Sequence, residues 1–356
     1  MKKHNFSAGP CILPQSVMQK AAEAVINYNN TGLSIIEMSH RSKEFVDVMD
    51  RSIALVKELL SVPEGYEVLF LQGGASSQFY MSALNFLPKD GKAAYINTGT
   101  WSAKAIKEAK LLGEIEEIAS SKDKKFNYIP KDYVVPNDVN YLHYTTNNTI
   151  VGTQFKHVPE TDVRLICDMS SDIMSQEVDI SKYDLIYAGA QKNLGPAGAT
   201  LIIVKCDALG KSGRTIPSIL DYQLHVAKES MYNTPPCFSI FTCMLTMEWL
   251  KELGGVKEIE KRNKAKASLL YAEIDRNSLF EGTAAVEDRS VMNPTFVLKN
   301  DGLNADFLTK SIKAGINGIK GHRSVGGFRA SMYNALEIES VQVLVDLMKE
   351  FERVNG

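Results

Sequence analysis

Apolar runs that alternate between strand-like and helix-like spacing, from about residue 15 to about residue 255, restrict the possible folds of this chain more than any other feature. Strands separated by helical stretches cannot be joined by tight hairpins, so they pair in parallel and are covered by helices on both faces. The expected class is α/β, with a mostly parallel sheet in a large domain over 15–255. After Gly254-Gly255 the order changes to a long charged helix from 256 to about 277, a strand at 295–298, a helix from about 305, a glycine-rich stretch through Gly327 and a last helix near 337–353. That succession predicts a small α+β domain over 256–356, with residues 1–14 packing near it and the active site. A chain of 356 residues that is 44% hydrophobic can bury cores of this size.

One strand of the large domain ends in an unusual turn. The stretch Asp184-Leu185-Ile186-Tyr187-Ala188-Gly189-Ala190-Gln191-Lys192-Asn193-Leu194-Gly195-Pro196 carries a single lysine among small residues. A lysine so placed is either an ordinary surface residue or a Schiff-base former, and the second role requires partial desolvation so that the amine spends time uncharged. Its neighbours favour the second role. The strand Val163-Arg164-Leu165-Ile166-Cys167 ends in Asp168, and ligands of open α/β sheets bind at the C-terminal ends of strands. A carboxylate there can keep a pyridine nitrogen protonated, which makes the ring of pyridoxal phosphate an electron sink.

Glu67-Val68-Leu69-Phe70-Leu71 leads through Gln72-Gly73-Gly74 into Ala75-Ser76-Ser77 and a helix with Phe79, Ala83, Leu84 and Leu87 along one face. Free amides and the dipole at that helix start suit a phosphate, with the Ser76 and Ser77 hydroxyls as further donors. The turn has neither the Gly-x-Gly-x-x-Gly spacing of a dinucleotide site nor the Gly-Lys-Ser/Thr of a P-loop. Ala93-Ala94-Tyr95-Ile96-Asn97 runs into Thr98-Gly99-Thr100-Trp101, which sets one of two tryptophans at a strand-to-helix junction where it can stack on a planar ring.

Several function classes are disfavoured. The net charge of −2 and the absence of a basic patch argue against nucleic acid as a partner. Neither an apolar leader after Met1-Lys2-Lys3-His4-Asn5 nor a bilayer-length apolar run is visible, so the expectation is a cytoplasmic protein with no membrane partner. Cys11, Cys167, Cys206, Cys237 and Cys243 form no Cys-x-x-Cys pair, reduced thiols are expected, and no zinc-type spacing is present.

Five segments, in order, resemble the motifs of phosphoserine aminotransferases, a family of class-V, fold-type I pyridoxal-phosphate enzymes. They are Asn5-Phe6-Ser7-Ala8-Gly9-Pro10, Ser39-His40-Arg41-Ser42, Gly189-Ala190-Gln191-Lys192-Asn193, Tyr232-Asn233-Thr234-Pro235-Pro236 and the stretch from Gly321 to Ser331. The resemblance implies pyridoxal 5'-phosphate as cofactor, with Lys192 as the Schiff-base lysine and base, and Asp168 on the ring nitrogen. It places Trp101 over one ring face and Thr149 at the ring edge. Ala75, Ser76 and Gln191 would hold the phosphate, completed by Asn233 and Thr234 of the other protomer of a homodimer. Arg329 would bind the substrate α-carboxylate. His40, Arg41, His322 and Arg323 would bind the distal phosphate or carboxylate, the last two from the partner. Some family members carry an arginine where this chain has Ser76-Ser77, so one cationic contact is expected to be missing. Glutamate and 3-phosphohydroxypyruvate are the implied substrates, with a phosphorylated hydroxythreonine as a possible second one. A fold-type I decarboxylase or desulfurase, sharing Lys192 and Asp168, and a binder without chemistry are the competing readings. A desulfurase needs a mobile nucleophilic cysteine, and no cysteine lies in a recognisable glycine-rich catalytic loop.

Overall fold

The computed structural model describes residues 2–356. A short β1 (His4–Asn5) precedes α1 (Gln15–Ile26) and α2 (Lys43–Leu59). Three strand-led units follow: β2 (Tyr66–Leu71) with α3 (Gly74–Phe86), β3 (Lys92–Asn97) with α4 (Thr100–Ala109), and β4 (Glu114–Ser120). Then come β5 (Tyr141–Thr145), the ribbon β6 (Asn147–Asn148) and β7 (Thr153–Gln154), β8 (Arg164–Asp168), β9 (Leu185–Gly189) and β10 (Thr200–Lys205). Helices α5 (Tyr222–Ala227), α6 (Cys237–Glu252) and α7 (Gly255–Arg276) lead to β11 (Phe280–Gly282) and β12 (Thr295–Leu298). The chain closes with α8 (Asn304–Lys313), β13 (Ile316–Asn317), β14 (Phe328–Arg329) and α9 (Ile338–Asn355).

Seven strands form one sheet in the order β2-β10-β9-β8-β5-β3-β4. All are parallel except β10, which runs against both β2 and β9. Both faces of β2, β3, β5, β8, β9 and β10 are buried, with alternate residues feeding opposite cores, whereas the edge strand β4 has no fully buried residue. Val68 and Phe70 of β2, Ile186 and Ala188 of β9, and Leu201 and Ile203 of β10 join the core under α1, α2 and α6. Leu69, Leu185, Tyr187 and Ile202 point the other way, to the core under α3 and α4. A third core gathers Phe280, Phe296, Phe307, Phe328 and Phe351, with Phe6 reaching in from the N-terminal segment. Each such side chain contributes roughly 1.5–3 kcal/mol on full burial. Backbone bonds His4 N–H to the Gly315 oxygen (2.9 Å) and Phe6 N–H to the Asn317 oxygen (2.8 Å) tie β1 to β13.

Two helices differ from their sequence patterns. α3 has more than one buried face: from Gln78 to Phe86 only Tyr80 is not buried. Its polar positions are satisfied instead, with Asn85 Nδ2 donating to the Met81 and Leu220 oxygens and Tyr222 N–H to Asn85 Oδ1. Leu87 lies just past the helix as its extended cap. In the charged helix α7, Asn263, Lys266 and Glu273 are buried. Gly254 (φ 110°) and Gly255 (φ 77°) make the turn between α6 and α7, a conformation that side-chain-bearing residues rarely adopt.

Candidate active site

The parallel strands β2, β3, β5, β8 and β9 end at one edge of the sheet, and their following turns converge on a cleft of about 350 Å³. Gly73 to Ser76 come from the β2–α3 turn, Trp101 from α4, Thr149 and Ile150 from the loop after β6, Asp168 and Ser170 from the end of β8, and Gln191 and Lys192 from the turn after β9. Ala8, Gly9, His322 and Arg329 close the cleft from the other side. Larger hollows near Gly254-Gly255 (about 730 Å³) and near the N-terminus (about 1080 Å³) show no comparable convergence of strand ends.

The Lys192 turn is closed by Leu194 and Gly195 N–H groups donating to the Ala190 oxygen (3.2 and 2.8 Å). A Cβ at Gly195 would lie 2.5 Å from Cys243 Sγ, so only glycine lets the turn rest on α6. Lys192 Nζ donates to Thr149 Oγ1 at 2.7 Å and stands 5.3 Å from the centre of the Trp101 ring. Burial lowers its pKa to about 8, opposed by the attraction of Asp168 and assisted by the positive charge of Arg329. One unit below that value, about a tenth of the amines are uncharged, against fewer than one in a thousand for an ordinary lysine. The amine is therefore chemically available near neutrality.

Asp168 is 4% exposed, and its Oδ1 accepts the Ser170 N–H at 2.9 Å. Burial raises its pKa, while Lys192 and Ser170 pull it back. Ser170 Oγ in turn accepts the Gly189 N–H at 3.1 Å, which links the carboxylate's strand end to the start of the lysine turn. Behind them, burial raises Asp172 to about 6 despite hydrogen bonds from Thr146 and Gln154.

Gly73 (φ 92°) caps α3, and a Cβ there would overlap Ser77 Oγ. Ser77 is thus turned toward the glycine and does not line the cleft, whereas Ser76 does; the expectation of two hydroxyl donors reduces to one. Arg329 Nη1 donates to the Thr149 oxygen at 3.2 Å, but its Nε is buried without a partner, as is Nε1 of Trp101. Both are donors that a bound anion or ligand edge can satisfy.

Of the residues singled out in the sequence, Ala75, Ser76, Trp101, Thr149, Asp168, Gln191, Lys192, His322 and Arg329 meet in this one cleft. His322, expected from the partner, lines its own chain's cleft. Gly321 N–H bonds the Gly327 oxygen (2.9 Å) and Arg329 N–H the Ile319 oxygen (2.8 Å), which folds the 320–328 turn back beside Arg329. Arg323 is exposed and faces a neighbouring hollow. His40 and Arg41 do not line the cleft: they sit in a turn leading into α2, with His40 Nε2 buried and unpartnered. Asn233 and Thr234 are outside it too, hydrogen-bonded to Gln72 just before the glycine turn. Ala8 and Gly9, from the 1–14 segment expected near the active site, also line the cleft, whereas the sequence reading did not single out Ile150 and Ser170. Only Ser170 has a local signal, an aspartate two residues earlier in an Asx turn.

The aminotransferase class-V family model matches residues 3–344. A phosphoserine aminotransferase of Flavobacterium psychrophilum is 61% identical over 353 residues, covering 99% of both chains. The solved phosphoserine aminotransferase of Bacillus circulans subsp. alkalophilus superposes with a TM-score of 0.97 at 44% identity, covering 100% of this chain and 99% of its own. The pyridoxal-phosphate-bound phosphoserine aminotransferase of Trichomonas vaginalis gives 0.93 at 35%, covering 98% and 100%. With strand ends, lysine turn and carboxylate arranged as described, the chain belongs to the class-V aminotransferases and, within them, to the phosphoserine aminotransferases.

Proposed function

We propose that this chain is a pyridoxal-phosphate-dependent transaminase that passes the amino group of L-glutamate to 3-phosphohydroxypyruvate, giving O-phospho-L-serine and 2-oxoglutarate for serine synthesis. The observation that carries this reading is the meeting, in one cleft, of a desolvated Lys192, a buried Asp168 one strand away and an Arg329 whose Nε has no partner. The residues fit the cofactor: a glycine turn at a helix start for its phosphate, a carboxylate for its ring nitrogen, an indole for its face and an amine for its aldehyde. When bound, that group supplies an aldehyde that condenses with amines and a ring that accepts the electrons left by deprotonation of the α-carbon.

The protein supplies position and charge. The fraction of Lys192 that is uncharged can take the proton from the substrate α-carbon, and Thr149 holds its Nζ. Asp168, kept from water, stabilises a protonated ring nitrogen by its negative charge. Arg329 offers a planar fork to the α-carboxylate shared by both substrates. His322 stands beside it for the distal anionic group, and His40, Arg41 and Arg323 are assigned to the same task from outside the single-chain cleft. Asn233 and Thr234 are assigned to the phosphate of a neighbouring protomer. What supports a homodimer with shared sites is that these five residues lie outside a cleft that already holds the others. The large and small domains, 15–255 and 256–356, a cytoplasmic location and turnover of a phosphorylated hydroxythreonine belong to the same proposal.

A desulfurase would need a thiolate. Cys11 donates to the Lys192 oxygen, and burial pushes its thiol up to about 12, which keeps it protonated. The deciding assay couples 2-oxoglutarate formation to a dehydrogenase with glutamate and 3-phosphohydroxypyruvate, and uses unphosphorylated hydroxypyruvate as control. Turnover strongly favouring the phosphorylated acceptor is expected. Equal turnover of both would contradict the phosphate-binding role.

A further inference from the structure

Lys192 is immediately followed by Asn193, which the chemistry above does not use. Asn193 is 6% exposed, and its Nδ2 donates to the Ile173 oxygen at 2.6 Å. Its Oδ1 accepts the backbone N–H of Asn334 at 2.9 Å. Asn334 is itself fixed on three sides, since its Nδ2 donates to the Met174 oxygen (2.8 Å) and its Oδ1 accepts from Asn263 Nδ2 of α7 (2.8 Å). Every polar group of the Asn193–Asn334 pair named here is paired and away from water, so no solvent molecule can substitute cheaply for a lost member.

The stretch that carries Asn334 begins at Arg329. Between them, Ser331 N–H bonds the Phe6 oxygen (3.2 Å) and Tyr333 OH the Ala8 oxygen (2.8 Å), next to Gly9 of the cleft wall. One short segment thus presents the candidate carboxylate-binding guanidinium at one end and grips the lysine turn at the other.

We propose that Asn193 is a positioning residue: by locking the lysine turn to the backbone of Asn334, it fixes the distance between the Lys192 amine and the Arg329 guanidinium, which holds the substrate carboxylate. The assignment rests on the Schiff-base role of Lys192. An alanine at 193 removes both side-chain bonds and frees the turn, while the glycines and the Thr149 partner remain in place. An alanine at 334 keeps the backbone N–H and removes only its side-chain anchors, so its effect has the same direction and a smaller size.

The test compares the purified holoenzyme with Asn193→Ala, Asn334→Ala and the surface control Lys43→Ala. It reads the pH midpoint of the cofactor's visible absorption band, thermal stability, and kcat and KM for glutamate. For Asn193→Ala the midpoint is expected to move by about half a unit or more and kcat to fall about tenfold or more, with KM within about threefold, as for a group that aligns without binding. A folded Asn193→Ala protein with the parent midpoint and kcat overturns the proposal. If that variant does not fold, Asn193→Ser, which is too short to make the same two bonds, decides: a displaced midpoint supports the clamp and an unchanged one overturns it. A parent protein with no visible band refutes the Schiff-base reading, whereas a band that Asn193→Ala leaves untouched refutes the clamp alone.

Discussion

At the residue scale, two lysines show how burial alone changes what a side chain can do. Lys192 and Lys266 both lose charge stabilisation to desolvation, to pKa values of about 8 and about 7. Lys192 opens on the cleft beside Thr149 and Trp101, whereas Lys266 spends its donors on the Met332 and Tyr333 carbonyl oxygens (3.0 and 2.9 Å) and is 2% exposed. Condensation of apo-protein with pyridoxal phosphate, followed by absorbance in a stopped-flow mixer, should speed up with pH to about 8 and level off above it. Lys266 has a different signature. Its folded pKa lies below the unfolded value of 10.5, so the unfolded chain binds more protons between about pH 7 and 10.5, and stability rises with pH across that window. Thermal melts of the apo-protein should show that rise, and Lys266→Met should abolish it between about pH 7 and 8 and reduce it above, where Lys192 adds a rise of the same sign. For Arg329, replacement by lysine removes the fork and should cut kcat/KM on the order of a hundredfold. Lys43→Ala, which breaks only an exposed pair with Asp47 at 3.6 Å, should change it by less than about twofold.

At the scale of elements, the strand-to-turn junctions were the legible part. β2, β3, β8 and β9 each announce themselves by an apolar run that stops at glycine, aspartate or small residues, and a parallel sheet then delivers all four ends to one edge. What stayed hidden depends on long-range packing. Thr149, named only through the family resemblance, meets Lys192 across 43 residues, and Ala8 and Gly9, from a segment expected near the site only in outline, reach the cleft beside a β1–β13 pairing whose register no local pattern encodes. The charges of α7 conceal that Lys266 and Glu273 are interior, since periodicity averages over single buried polar positions. The β2–α3 turn offers a sharp test. Alanine at Gly73 must hold a left-handed φ of 92° and displace Ser77, which should cost about 1–3 kcal/mol and shift the start of α3. Calorimetry should show a lower Tm for Gly73→Ala, and equilibrium dialysis a weaker affinity for pyridoxal phosphate. Unchanged cofactor affinity would remove this turn from the phosphate site.

At the scale of the whole molecule, the single chain brings together the amine, the carboxylate, the indole and one arginine, and leaves Asn233, Thr234, Arg323, His40 and Arg41 outside. If a second copy completes the site, as proposed, cofactor retention depends on protein concentration. Sedimentation at decreasing concentration should show cofactor absorbance lost together with the dimer, and a monomer that keeps both cofactor and activity would contradict shared sites. The central claim is narrower and concerns one covalent bond. Borohydride reduction of the cofactor-loaded protein, followed by digestion and mass spectrometry, should place a pyridoxyl-phosphate adduct on Lys192 and on no other lysine. An adduct on Lys266 or elsewhere, or none at all, would contradict the account.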